Sequence, residues 1–176
     1  VTLPTVTALD LVDGATLVTN NAPATFAVGS TTVTYTTSDA AGNTATATLV
    51  VTITDNTAPV MSDVQNVTLE ANAVQTVVVL PAVTASDLVD GNIVVTNNER
   101  AAYPVGVTTV TYSATDVAGN TTTKSLTVTI TDVTAPEMSD VAHVTLEANA
   151  AQTVVVLPAV TASDLVDGNI VVTNNE

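Results

Sequence analysis

Residues 107–115 read Val-Thr-Thr-Val-Thr-Tyr-Ser-Ala-Thr, residues 116–120 Asp-Val-Ala-Gly-Asn, and residues 121–131 Thr-Thr-Thr-Lys-Ser-Leu-Thr-Val-Thr-Ile-Thr. Val110, Tyr112 and Ala114 share one face of the first run, while Leu126, Val128 and Ile130 alternate with Thr127, Thr129 and Thr131 in the last. Period-two alternation of this kind belongs to strands with one buried and one wet face. The five residues between them include a Gly-Asn pair suited to the positive φ of a hairpin connection. Working outward, residues 64–70, 75–85 and 92–97 also read as strands between turn residues. About five to seven short strands in roughly 80 residues predict a two-sheet antiparallel β-sandwich.

Composition agrees. Of 176 residues, 36 are Thr and 34 Val, β-branched types that suit a pleated surface and fit a helix poorly, so an all-β chain is expected. Only 2% of residues are aromatic, which disfavours large-ligand pockets and base-stacking surfaces. Seventeen acidic residues against two basic ones, Arg100 and Lys124, give a formal charge of -15. Such a surface repels nucleic-acid phosphates and anionic headgroups, and neither partner is expected, although a salty habitat would account for the acidity equally well. Cysteine is absent, so there is no disulfide framework or thiolate metal site. The longest apolar run, Val77–Leu80, is strand-sized, far short of the roughly 20 residues of a membrane span. The text has no initiator Met or leader and stops partway through a repeated unit, as an excerpt of something longer would.

The repetition has a period of 77 residues. Pro4, Pro81 and Pro158 each precede the same text, ending in Asp-Leu-Val-Asp-Gly. Residues 60–99 and 137–176 differ only at Val60/Glu137, Gln65/Ala142, Asn66/His143 and Val74/Ala151, and residues 1–55 are a more diverged copy of 78–132. Three segments are expected: a partial repeat at 1–55 lacking its first strands, a complete one at 56–132, and a partial one at 133–176 lacking its last strands.

The stretch from Tyr103 to Asn120, flanked by Thr-Ala-Pro linkers and echoed by Phe26-Ala-Val-Gly29 and Asp39-Ala-Ala-Gly-Asn43, resembles a hyalin repeat (HYR) module. The resemblance covers the whole chain. It implies tandem Ig-like sandwiches on an extracellular, cell-surface protein, expected here to be bacterial, with an adhesive role. Many animal HYR modules carry a Cys pair that aligns by eye near Asp63 and Lys124. An ion pair could stand there, contributing far less than a disulfide, or the two could be unrelated surface charges.

In a sandwich whose strands alternate in direction, the loop after the second strand and the last hairpin lie at the end where the chain enters. That parity gathers Asp87, Asp90, Asp116 and Asn120 beside Asp55 of the preceding repeat. At the next joint it gathers Glu70 and Asp132 with Asp164 and Asp167, provided the first strand ends beside the last. Clustered like charges are destabilising, and calcium, which takes 6 to 8 oxygen ligands, is the ordinary remedy. The Asp-Asn-Thr-Ala-Pro linker also resembles that of cadherins, which implies calcium-stiffened joints. The competing reading is that Asp87, Asp90 and Asp116 only cap their own turns.

Other chemistry is disfavoured. Asp87 with Asp90 could suggest a glycosidase pair, but the pair recurs as Asp10/Asp13 and Asp164/Asp167 without an aromatic platform for a sugar. His143 replaces Asn66 and belongs to no triad. Asn66-Val-Thr68 and Asn120-Thr-Thr122 fit the glycosylation pattern. The expectation is a non-enzymatic extracellular stalk or fibre, with calcium at its joints and neighbouring repeats as partners. The alternatives are a filament subunit that exchanges strands with other copies of the chain, and a carbohydrate-binding accessory module.

Overall fold

The computed structural model describes residues 1–173, and every element among them is a strand. Contacts divide the chain into two compact units, one comprising Val1–Thr57 with Val117–Asn120, the other Ala58–Asp116 with the residues from Thr121 onward. In the first unit, β1 (Ala8–Asp10) pairs with β2 (Gly14–Thr16), and β3 (Val18–Asn20), β4 (Gly29–Ser38) and β5 (Thr44–Ile53) form a sheet in that order.

The second unit holds the fuller sandwich. Its strands are β6 (Val60–Met61), β7 (Val67–Glu70), β8 (Gln75–Thr76), β9 (Ala85–Asp87), β10 (Gly91–Ile93), β11 (Val95–Asn97), β12 (Tyr103–Pro104), β13 (Gly106–Thr115) and β14 (Thr121–Thr131). One sheet runs β11-β13-β14-β7 and another β10-β9-β6, with β8 and β12 as a separate pair. Further along, β15 (Glu137–Met138), β16 (Ala162–Asp164) and β17 (Gly168–Ile170) form a third small sheet. Both large sheets contribute to one core of Met61, Ala71, Ala85, Tyr103, Val110, Tyr112, Ala114, Leu126, Val128 and Ile130. The residues assigned to the inner faces of β13 and β14 by alternation are therefore the buried ones.

Four expectations need correction. The strand expected over 64–70 is shorter, covering only Val67–Glu70, and it pairs with β14 in parallel, Val128 opposite Val67 through Thr131 opposite Glu70, so the sandwich is not wholly antiparallel. The strand expected over 75–85 is paired only at its ends, in β8 and β9. Pro81 lacks an N–H for a ladder. Val78, Leu80 and Val83 nevertheless pack against the core while Val79 is 91% exposed, so alternation survives where pairing does not. The strand expected over 92–97 breaks at the exposed Val94, with Ile93 in one sheet and Val95 in the other. Finally, Gly119 has a positive φ of 94° but no non-glycine residue does, so Asn120 serves the hairpin through its side chain.

Tyr35 and Tyr112 occupy equivalent places one period apart. Tyr35 Oη donates to Pro4 O at 3.4 Å, whereas Tyr112 Oη is buried with no hydrogen-bond partner among the described residues. Burial, and then the Glu99 charge, push the Tyr112 phenol above its ordinary 10.0. A buried donor left unmade is costly, so Tyr112→Phe, which keeps the ring, is expected to raise the unfolding free energy in urea by about 1 kcal/mol. Tyr35→Phe is expected to give no such gain.

Candidate metal centre

The Asp-Leu-Val-Asp-Gly loop folds the same way in all three copies. Asp10 Oδ1 accepts from Val12 N and Asp13 N at 2.8 and 3.0 Å, Asp87 Oδ1 from Val89 N and Asp90 N at 2.7 and 3.2 Å, and Asp164 Oδ1 from Val166 N and Asp167 N at 2.7 and 3.0 Å. The first aspartate is thus a turn cap, and both amide bonds fall on one carboxylate oxygen. The last hairpin uses the same device: Asp39 accepts from Asn43 N at 2.7 Å on Oδ1 and from Asn43 Nδ2 at 2.6 Å on Oδ2. The Asn43 side chain holds the Asp39 carboxyl below its ordinary 3.8.

Within the second unit, Asp87 on β9 and Asp116 at the end of β13 are both buried and offer carboxylate oxygens within 4.8 Å of each other. Asp132, Asp164 and Asp167 form a second group with the same spacing. Glu70, expected in that group, is not part of it: its Oε1 accepts from Val133 N at 2.9 Å and Thr134 Oγ1 at 3.2 Å, fastening the linker beside the parallel strand β7. Asp132 Oδ1 caps Thr134 N at 3.2 Å. Asp55, its counterpart in the first unit, caps Thr57 N at 3.0 Å, accepts from Asn120 Nδ2 on its carbonyl at 3.2 Å, and has a buried Oδ2 with no hydrogen-bond partner among the described residues.

The second aspartate of the loop varies with its surroundings. In the first copy Asp13 Oδ2 accepts from Ala40 N at the hairpin turn at 3.0 Å. Residues 133–173 include no such hairpin, and Asp167 lies with Asp132 and Asp164 instead. Asp90, expected among the ligands, is not part of the Asp87 group. Two further contacts were not legible beforehand. Val166 packs against the core of the preceding repeat, and Lys124 Nζ meets Asp63 Oδ1 at 2.7 Å, which lowers the Asp63 pKa. The ion-pair reading of those two residues is therefore the one that holds.

Every donor in these groups is oxygen, and the buried Oδ2 of Asp55 and the crowded carboxylates of Asp132, Asp164 and Asp167 are chemically suited to a hard divalent cation. The amides of Asp167 and Val166 hold the Asp164 carboxyl below its ordinary 3.8. A depressed pKa stabilises the fold above the ordinary value, and that contribution is lost as pH falls through the lowered one. The Asp164 carboxyl is accordingly expected to titrate by carbon-detected NMR with a midpoint under 3.8. Asp164→Asn, which keeps an accepting oxygen, is expected to retain the turn without that acid-dependent loss.

A family model described as HYR domain matches residues 1–53 and again 54–130. Hyalin of Lytechinus variegatus is 37% identical over 175 residues, covering 92% of this chain and 33% of that protein. Hyalin of Strongylocentrotus purpuratus is 37% identical over 150 residues, covering 79% of this chain and 12% of its own length. The chain therefore spans a third or less of either relative. With two successive copies of the family's pattern matched and an all-β sandwich to carry them, this chain belongs to the HYR domain family.

Proposed function

We propose that this chain is a length of an extracellular, non-enzymatic adhesive stalk, in which HYR modules follow one another as stiff beads and calcium occupies the carboxylate groups. The observation that carries the reading is the coupling at residues 132–134. Glu70 fastens the linker there, and Val166 of the following repeat rests on the core of the repeat before it. A joint tied by side chains on both sides transmits force and orientation, as a spacer between a surface and an adhesive head must.

Calcium deepens this reading. Asp132, Asp164 and Asp167 would hold the ion together with main-chain carbonyls and water, and the same residue types recur as Asp55, Asp87 and Asp90 one period earlier. Asp116 would join Asp87 there. The ion would supply positive charge where several carboxylates crowd, and it would stabilise the folded form by binding only to it. The turn bonds do not compete, because they use Oδ1 of Asp87 and Asp164.

Calcium titration followed by calorimetry and small-angle scattering tests this. Affinity is expected near the 10⁻⁴ to 10⁻³ M range of extracellular modules, roughly, with a rise in melting temperature and in maximum dimension that a chelator reverses. Asp132→Asn combined with Asp164→Asn is expected to abolish the calcium response. Neither a thermal nor a dimensional change in saturating calcium would sink the calcium reading, while leaving the stalk to be tested by stiffness alone.

A further inference from the structure

We propose that residues 141–147 of one copy of this chain add as a parallel strand to the β5 edge of a second copy, joining chains head to tail. The second repeat contains the template. There β7 lies parallel to β14, with Val67, Thr68, Leu69 and Glu70 opposite Val128, Thr129, Ile130 and Thr131. One period later the β7 text recurs unchanged as Val144, Thr145, Leu146 and Glu147, and one period earlier the β14 positions are Val51, Thr52, Ile53 and Thr54. Donor and acceptor therefore both occur in this chain, in different repeats.

Neither is satisfied among the described residues. The strand β5 ends its sheet, with β4 on one side and no strand on the other. Leu126, Val128 and Ile130 are fully buried, yet their counterparts Leu49, Val51 and Ile53 are only half-buried. Residues 141–147 form no strand, and Val144 and Leu146 are 46% and 59% exposed. A groove of about 1000 Å³ is lined by Val141, Val155, Leu157, Val160 and Val172, the counterparts of Val64, Val78, Leu80, Val83 and Val95 that pack on the core in the second repeat. In the first unit Val6, Ala8 and Val18 already lie beside Tyr35, so the transferred piece is the 141–147 wall alone. An open sheet edge with a matched apolar strand is the ordinary route to β-augmentation. His143 fits the same geometry: Asn66 Oδ1 accepts from Thr127 N at 2.9 Å, and an unprotonated imidazole nitrogen at 143 can accept from Val50 N in that place.

The chain has no cysteine, so a register test is clean. The Thr52→Cys, Thr145→Cys variant places thiols at the pair equivalent to Thr129 and Thr68, within disulfide reach. Oxidation is expected to give a ladder of linked multimers that a reductant collapses, with about a tenfold weaker ladder from the displaced Thr52→Cys, Ala142→Cys variant. A linked monomer, or equal ladders from both variants, overturns the proposal. Val144→Asp with Leu146→Asp alters only exposed, unpaired residues and is expected to leave the melting temperature unchanged while sedimentation shifts to monomer. A parent chain that sediments as monomer at every concentration, or a variant that still assembles, overturns it as well. These outcomes do not depend on whether calcium binds.

Discussion

The ladder between β13 and β14 is the constraint on which the second repeat rests. Ten residues of β13 find partners on β14, and the inward members of both strands supply six of the core's most buried side chains. The outward members are Thr and Ser, and Thr111 with Ser125 and Thr115 with Thr121 share hydroxyl bonds across the strands. Short strands such as β6, β9 and β12 could not order themselves in water; they are stable because this hairpin gives them an apolar surface to cover. The first copy illustrates the converse: β4 and β5 form the same ladder, but with less covering their inner face, Leu49, Val51 and Ile53 remain partly wet.

Aspartate does two kinds of work in this fold. As a turn cap it uses one oxygen to hold two amides, which fixes the Asp-Leu-Val-Asp-Gly loop without any help from packing; Leu88 in that loop is 96% exposed. The second oxygen, and the second aspartate, are then directed by whatever lies nearby. A hairpin amide takes Asp13, whereas Asp167 lies with two other carboxylates. The two readings of these acids were set against each other from the residues alone, yet turn capping and cation binding use different oxygens and are compatible.

Near-identical repeats make every interface reusable. The parallel contact of β7 with β14 is written into the text once per period, so any repeat that presents a β14-like edge can receive any β7-like strand. Specificity then comes from connectivity and from small differences such as Asn66 against His143, because the hydrophobic pattern is the same in each.

The amino-acid order alone determined the all-β class, the 77-residue period, the long hairpin and its buried face, and the turn-forming aspartates, because each depends on neighbours within a few residues or on alternation along one strand. Strand pairing across the sandwich was not local. Alternation over 75–85 and 92–97 told which side chains turn inward but not whether their backbones pair, and there the tertiary structure decided for broken strands, interrupted at Pro81 and at the sheet crossing of Val94. It also decided the parallel course of β7, which placed Glu70 on the linker amides rather than among the clustered acids. Hydrogen-bond partners that lie sixty residues away in the chain are set by the closing of the sheets, and no local pattern carries that information.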